Sequence, residues 1–286
     1  MRKIEEMVLT NHGSTTHREE STVRNMIRHM DIKGYLLAGV LCTLFASASA
    51  AHAAFVNGTN TADVLFGLDD DNQANAQIQP PGATVNQSLD NADVIKGGSG
   101  DDVLIGLGGN DVMLGGSGDD ILVGGTEQFV TPNSDMMVGG DGNDIALWRG
   151  GDGSEAFIGG RGKADTLIFG NIDRDADNIP IISATTGRHA STGVPTADVT
   201  NQGGFCTLER VQDRAAGYQF LVRFFIRATG NLAVTLRTVD VEQVFCTSEP
   251  GGEITFADLT EANPEFVVAS FGEVNKINPT ASTIIR

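Results

Sequence analysis

The sequence predicts an all-β protein: a right-handed parallel β-roll of nine-residue repeats followed by a small antiparallel β region. Three observations predict it. Residues 57–170 hold 24 of the 36 glycines, interleaved with aspartates at a regular spacing. Large apolar residues recur at one fixed phase behind those aspartates. Downstream the glycines thin out, and around residues 218–245 apolar and polar residues alternate as in a strand with one buried face.

The chain has 286 residues, long enough for one or two domains with a core. It carries 37 Asp plus Glu against 19 Lys plus Arg, a formal charge of −18. That balance argues against nucleic acid and anionic lipid as partners, because their phosphates require a basic face. It suits multivalent cations, although acidity also serves solubility alone. The charge is concentrated: residues 57–170 hold 18 acids and 4 bases, whereas 171–286 hold 14 and 9. Three regions are expected. Residues 1–53 form an export signal with an atypical N-terminal extension, 54–170 the β-roll, and 171–286 a β-rich cap.

The export signal is predicted from the apolar, small-residue run Tyr35–Ala50, preceded by Arg28 and Lys33 and followed by Ala51-His52-Ala53, a signal-peptidase pattern. The run is short for a spanning helix, and no other long apolar run follows, so stable membrane insertion is not expected. Translation starting at Met26 or Met30 would account for the unusual first 29 residues. Cleavage after Ala53 leaves Cys206 and Cys246. Outside the cytoplasm two such thiols pair, two buried free thiols being the alternative.

The repeats carry the chemistry. Gly97 opens GGSGDDVLI, Gly106 opens GLGGNDVML and Gly115 opens GGSGDDILV, without a gap. Gly139 opens GGDGNDIAL, Gly150 opens GGDGSEAFI, and Gly159 opens GGRGKADTLI, one residue longer. Weaker units begin at Asn57 and end at Lys96, and one unit from Gly124 is stretched by insertion. In each, six residues make a turn and three a strand. Glycine reaches the positive φ values such turns need and lets backbone carbonyls crowd together. Two positions beyond each acid stands the inward side chain: Leu65, Ile95, Leu104, Met113, Leu122, Met137, Ala146, Phe157 and Leu167, all apolar. A disordered acidic linker would not keep that phase.

These units resemble the RTX, or haemolysin-type, calcium-binding repeat, G-G-x-G-x-D-x-U-x with U a large apolar residue. The resemblance covers about 115 residues. It implies a roll in which two repeats complete one coil, with Ca2+ held between stacked turns by one Asp from each and by carbonyls of the Gly-rich turns. The expected metal residues are therefore Asp93, Asp102, Asp111, Asp120, Asp135 and Asp144. To these are added Glu155, which replaces Asp, and Asp165, displaced by one position. The expected carbonyl donors are Gly97, Gly98, Gly100, Gly115, Gly116, Gly118, Gly139, Gly140 and Gly142. Asp102 should stack on Asp120 and Asp144, and Asp93 on Asp111 and Asp135. Asp101 and Asp119 are expected to point to solvent. Stacked carboxylates repel, no Lys or Arg ladder is visible to neutralise them, and calcium is the simplest remedy. Little free calcium exists in the cytoplasm, so folding would wait for export.

One feature departs from the resemblance. The strand positions flanking the inward residue are apolar as well: Val103, Ile105, Val112, Leu114, Ile121, Val123, Ile145 and Leu147. Strands covered on both faces read this way, so the downstream region or a partner should cover a sheet. In that region Tyr218–Ile226 and Leu232–Phe245 read as an antiparallel hairpin turned at Thr229-Gly230-Asn231. Asp173, Asp175 and Asp177 resemble the opening of an EF-hand loop, but Asn178 and Ala184 stand where its Gly and closing Glu belong.

No catalytic motif is found. There is no H-E-x-x-H, no G-x-S-x-G and no P-loop, and His189 is the one histidine after the signal segment. The expected function is therefore an extracytoplasmic calcium-binding protein with a structural or adhesive role and a cell-surface or extracellular partner. It would be secreted, at the cell surface, or in the periplasm. The alternative is a secreted enzyme acting on polysaccharide, its paired carboxylates hidden among the many acids.

Overall fold

The computed structural model describes residues 55–67, 92–125, 134–176 and 179–286. The expected export signal lies outside these residues.

Ten strands wind through the repeats: β1 (Phe55–Asn57), β2 (Val64–Phe66), β3 (Val94–Ser99), β4 (Val103–Ile105), β5 (Val112–Ser117), β6 (Ile121–Val123), β7 (Met136–Asp141), β8 (Ile145–Trp148), β9 (Ala156–Arg161) and β10 (Thr166–Phe169). Odd-numbered strands stack in parallel into one sheet and even-numbered strands into a second. Register follows the repeat phase. Ile95, Met113, Met137 and Phe157 lie side by side in the first sheet. Leu65, Leu104, Leu122, Ala146 and Leu167 do so in the second. All nine point between the sheets and none is more than 2 % exposed. The insertion after Gly124 does not disturb this, since Met113 still pairs with Met137 across it.

Four short strands follow: β11 (Asn171–Ile172), β12 (Ile182–Ser183), β13 (Val194–Pro195) and β14 (Ala197–Asp198), paired β11 with β14 and β12 with β13. Then come β15 (Gly204–Arg210), β16 (Phe220–Ile226), β17 (Leu232–Val239), β18 (Gln243–Thr247), β19 (Ile254–Asp258), β20 (Val267–Ala269) and the helices α1 (Phe271–Ile277) and α2 (Pro279–Ile284).

The expected hairpin is corrected here. Its return strand, read as Leu232–Phe245, is two strands in opposite sheets. β17 pairs in parallel with β9, and β18 in parallel with β10, so the downstream region first adds one more coil to the roll. Asp240, with φ of 49°, turns the corner between them. Outward from that coil the strands run antiparallel, as β17-β16-β15 in one sheet and β18-β19-β20 in the other. Cys206 on β15 and Cys246 on β18 are disulfide-bonded, tying the sheets together across the core with a Cα separation of 6.1 Å.

The second flanking row of apolar residues is explained by what lies on the even sheet. Val103, Ile105, Ile121, Val123, Ile145 and Leu147 are fully buried on its outer face beneath Ile172, Val194, Val199, Val274, Ala281 and Ile284. Ser270 and Glu273 form a capping box at the start of α1. The Asn278 side chain caps α2, whose Pro279 sits at the first turn. These caps fix two helices too short to persist alone, so that their apolar sides close the sheet. The odd sheet carries a smaller outer cluster of Val94, Val112 and Met136, with Leu114 only partly covered.

Candidate metal centre

The aspartates of the turns form two ladders, one along each edge of the roll. In the first, the backbone N–H of Asp63 donates to Asp102 Oδ1 at 2.7 Å, Asp102 to Asp120 at 2.9 Å, Asp120 to Asp144 at 2.8 Å and Asp144 to Asp165 at 2.8 Å. In the second, Asp93 donates to Asp111 Oδ1 at 2.7 Å and Asp111 to Asp135 at 2.8 Å. The expected stacking of Asp102 with Asp120 and Asp144, and of Asp93 with Asp111 and Asp135, is thus present. Asp165 keeps its place despite its displaced position, and Glu155 is buried at the end of the second set.

Each acid that accepts one of these bonds uses one oxygen for it. The second oxygen, Oδ2, of Asp102, Asp120, Asp135, Asp144 and Asp165 is buried with no hydrogen-bond partner. Such a charge is costly unless something neutralises it. The Oδ2 atoms face the glycines of the turn. A β-carbon on Gly97 would collide with Asp102 Oδ2 and lie 2.6 Å from the Gly115 carbonyl oxygen. One on Gly115 would collide with Asp120 Oδ2 and lie 2.6 Å from the Gly139 carbonyl oxygen, and one on Gly139 would overlap the Asp144 carboxylate. The next glycines stack in columns, Gly98 under Gly116 under Gly140 and Gly100 under Gly118 under Gly142, all with φ between 114° and 147°. A side chain at any of these column positions would be strained and would run into the backbone of the coil before it.

The first coil provides an internal contrast. Asp63 Oδ2 accepts from the Thr59 backbone N–H at 2.6 Å and from its hydroxyl at 2.9 Å. There Thr59 stands where the later units have glycine, and the protein satisfies the oxygen itself.

Electrostatics agree with the geometry. Burial, offset in part by the backbone N–H bond and reinforced by neighbouring carboxylates, pushes the Asp102 carboxyl up to about 6, Asp120 to about 7 and Asp144 to about 9. Asp165 is pushed up to about 7 in the same way, with Glu242 adding most among the neighbouring acids, and Asp135 is raised by burial with Asp152 adding to it. Hard oxygen donors, carboxylate and carbonyl together, are the donor set of a calcium ion. Among the described residues no three His, Cys, Asp or Glu side chains gather into a cage by themselves, so the carbonyls are needed to complete any such set.

Three features were not visible in the repeat pattern. Position five forms an outer ladder: Asp119 N–H donates to Asp101 Oδ1 and Asn143 N–H to Asp119 Oδ1, each at 2.8 Å. Asp119 is therefore buried rather than solvent-facing. Arg188, from the loop between β12 and β13, pairs with it at 2.6 Å and with Asp101 at 3.2 Å. This positive charge arrives from 69 residues beyond Asp119, which spacing alone could not reveal. Third, the first ladder ends on the cap: Asp165 N–H donates to Glu242 Oε2 at 2.9 Å. In the segment resembling an EF-hand, Asp173 instead pairs with Arg286 and accepts from the Thr196 hydroxyl at 2.7 Å.

No curated protein and no solved structure matches the chain at a significant level. The family of the RTX calcium-binding nonapeptide repeat does match, in four copies, at residues 89–125 and 131–146. These spans hold Asp93, Asp102, Asp111, Asp120, Asp135 and Asp144, all the rungs of the two ladders except Asp63 and Asp165. Coil, ladders and family match agree: residues 89–146 of this chain carry RTX calcium-binding nonapeptide repeats.

Proposed function

We propose that the chain is an extracytoplasmic calcium-binding protein whose roll folds around Ca2+ held between stacked turns, and that its role is structural or adhesive. One observation carries the reading. Along both edges the ladder carboxylates are buried, and in five of them Oδ2 has no protein partner while Oδ1 is engaged. Asp102, Asp120, Asp144 and Asp165 would serve one edge, and Asp93, Asp111, Asp135 and Glu155 the other. The carbonyls of Gly97, Gly98, Gly100, Gly115, Gly116, Gly118, Gly139, Gly140 and Gly142 would supply neutral donors. A bound ion would offset the like-charge stacking, and each occupied site adds about 2.7 kcal/mol of stability at one hundred times its dissociation constant. Secretion to the cell surface or medium, or delivery to the periplasm, would place the chain where calcium is plentiful.

Trp148 supplies the test. It is buried at the end of the roll, 5.0 Å from the rings of Phe169 and of Phe224 in the cap. Calcium is titrated into the full chain held in chelator, with magnesium as the control, while Trp148 fluorescence and far-UV circular dichroism are followed. A saturable blue shift with gain of β signal, produced by calcium and not by magnesium, is expected. A chain that binds no calcium would overturn the reading.

A further inference from the structure

We propose that the cap builds a divalent-cation site of its own at the end of the roll, between the 159–165 turn and the corner Asp240–Glu242. Its donors are the Asp165 carboxylate, the Asp240 carbonyl and the Glu242 carboxylate. The inference rests on the calcium reading of the repeats but lies beyond them, since the family match ends at residue 146 and residues 240–242 have no repeat sequence.

The corner reproduces the inter-coil geometry with different residues. Between two repeats, the space beside Gly97 is bounded by Asp102 Oδ2 and by the carbonyl of Gly115, the first glycine of the following coil. Beside Gly159 the same space is bounded by Asp165 Oδ2, 2.6 Å from where a β-carbon would stand, and by the carbonyl of Asp240. Asp240 follows β17 as Gly159 follows Ile158 in β9, and β17 pairs with β9, so the two occupy equivalent places on successive coils. The next rung of the ladder is likewise replaced. Asp144 N–H donates to Asp165 Oδ1, and Asp165 N–H in turn donates to Glu242 Oε2. The longer Glu side chain compensates for a corner of three residues where the repeats use six or seven.

The second observation is the state of Asp165. It is fully buried, its Oδ1 is spent on Asp144, and its Oδ2 has no partner. Gly162 keeps the approach open, because a β-carbon there would lie 2.5 Å from both Asp165 oxygens. The neighbouring backbone is fixed by Asn278, whose amide donates to Thr166 Oγ1 at 2.9 Å and to Gln243 Oε1 at 3.2 Å. Two carboxylates plus a carbonyl are hard donors suited to calcium, whose coordination tolerates irregular geometry. The roll is then closed differently at its two ends. Thr59 seals the first coil with hydrogen bonds to Asp63, and a cation seals the last against the cap.

The test counts ions. Bound calcium is measured by equilibrium dialysis and elemental analysis on the full chain, on Glu242→Gln and on Glu242→Lys, with Asp102→Asn as a control inside the repeats. Glu242→Gln is nearly isosteric and keeps an acceptor for the Asp165 N–H, so the fold persists. Both Glu242 variants should bind one ion fewer per chain than wild type. Glu242→Lys should also melt above wild type in chelator, because its ammonium replaces the cation beside Asp165. If Asp102→Asn loses an ion and both Glu242 variants keep the full count, the terminal site is overturned while the repeat reading stands. A wild-type chain without calcium overturns both.

Discussion

The backbone N–H of Asp120 donates to Oδ1 of Asp144 over 2.8 Å, while Oδ2 of the same carboxylate is buried without a protein partner. The two oxygens have separate tasks. Oδ1 fixes one coil against the next, and Oδ2, in the ion-free fold, escapes an uncompensated charge only by holding a proton. Asp144→Asn separates these tasks, because the amide oxygen can still accept from Asp120 while the charge is removed. In chelator the variant should melt above wild type. In saturating calcium the order should reverse, with a loss of about 2.7 kcal/mol at one hundred times the dissociation constant of the missing site. Thermal unfolding in the two media checks the crossing, and a variant that melts below wild type in chelator would contradict it.

The same burial makes the ion-free chain sensitive to pH. Asp102, Asp120 and Asp144 are pushed up to about 6, 7 and 9 in the fold, against an ordinary value of 3.8. A raised folded value means that the folded state holds the proton more tightly than the unfolded chain. The contribution is fully present below about pH 4 and is lost as pH rises through about 6 to 9. In chelator, stability should therefore fall between pH 5 and pH 9, opposite to the usual acid denaturation of carboxylate pairs. Calcium competes with those protons, so its affinity should rise over the same range. Melting temperature and calcium titration at several pH values measure both, and a flat profile in chelator would sink the argument.

The sequence exposed the repeating part of this molecule because its constraints are local. A glycine that must reach positive φ, an acid at position six and an apolar residue two places later recur within nine residues. All nine inward residues follow from that phase alone, and the stacked aspartates from the phase together with the two-repeat coil that the resemblance implies. The departures have equally physical causes. Leu232–Phe245 looks like one strand because Asp240 and Glu242 break the alternation too briefly to signal a change of sheet. Arg188 meets Asp119 across a separation of 69 residues, so no spacing rule connects them. The outward row at Ile121 and Ile145 did announce a cover. The helices that supply it, short and dependent on the Ser270 and Asn278 caps, carry too little periodicity to be read in advance.

The Cys206–Cys246 bond offers a way to separate the cap from the roll. It joins β15 of the odd sheet to β18 of the even sheet, in the region that follows the repeats, and closes a separation of 40 residues. Loop-closure entropy assigns a bridge of that span about 3–4 kcal/mol. Both half-cystines are buried, Cys206 lying opposite Phe224, which packs on Trp148. The double variant Cys206→Ala, Cys246→Ala should therefore melt well below wild type in calcium and shift Trp148 emission at a lower temperature. The ladders from Asp93 to Asp144 lie outside the closed loop, so the ions they hold should be retained below the melt. Calorimetry, Trp148 emission and the dialysis count test this together. An unchanged melt would show that the sheets are held by packing alone, and a general loss of ions would show that the cap and the repeats fold as one unit.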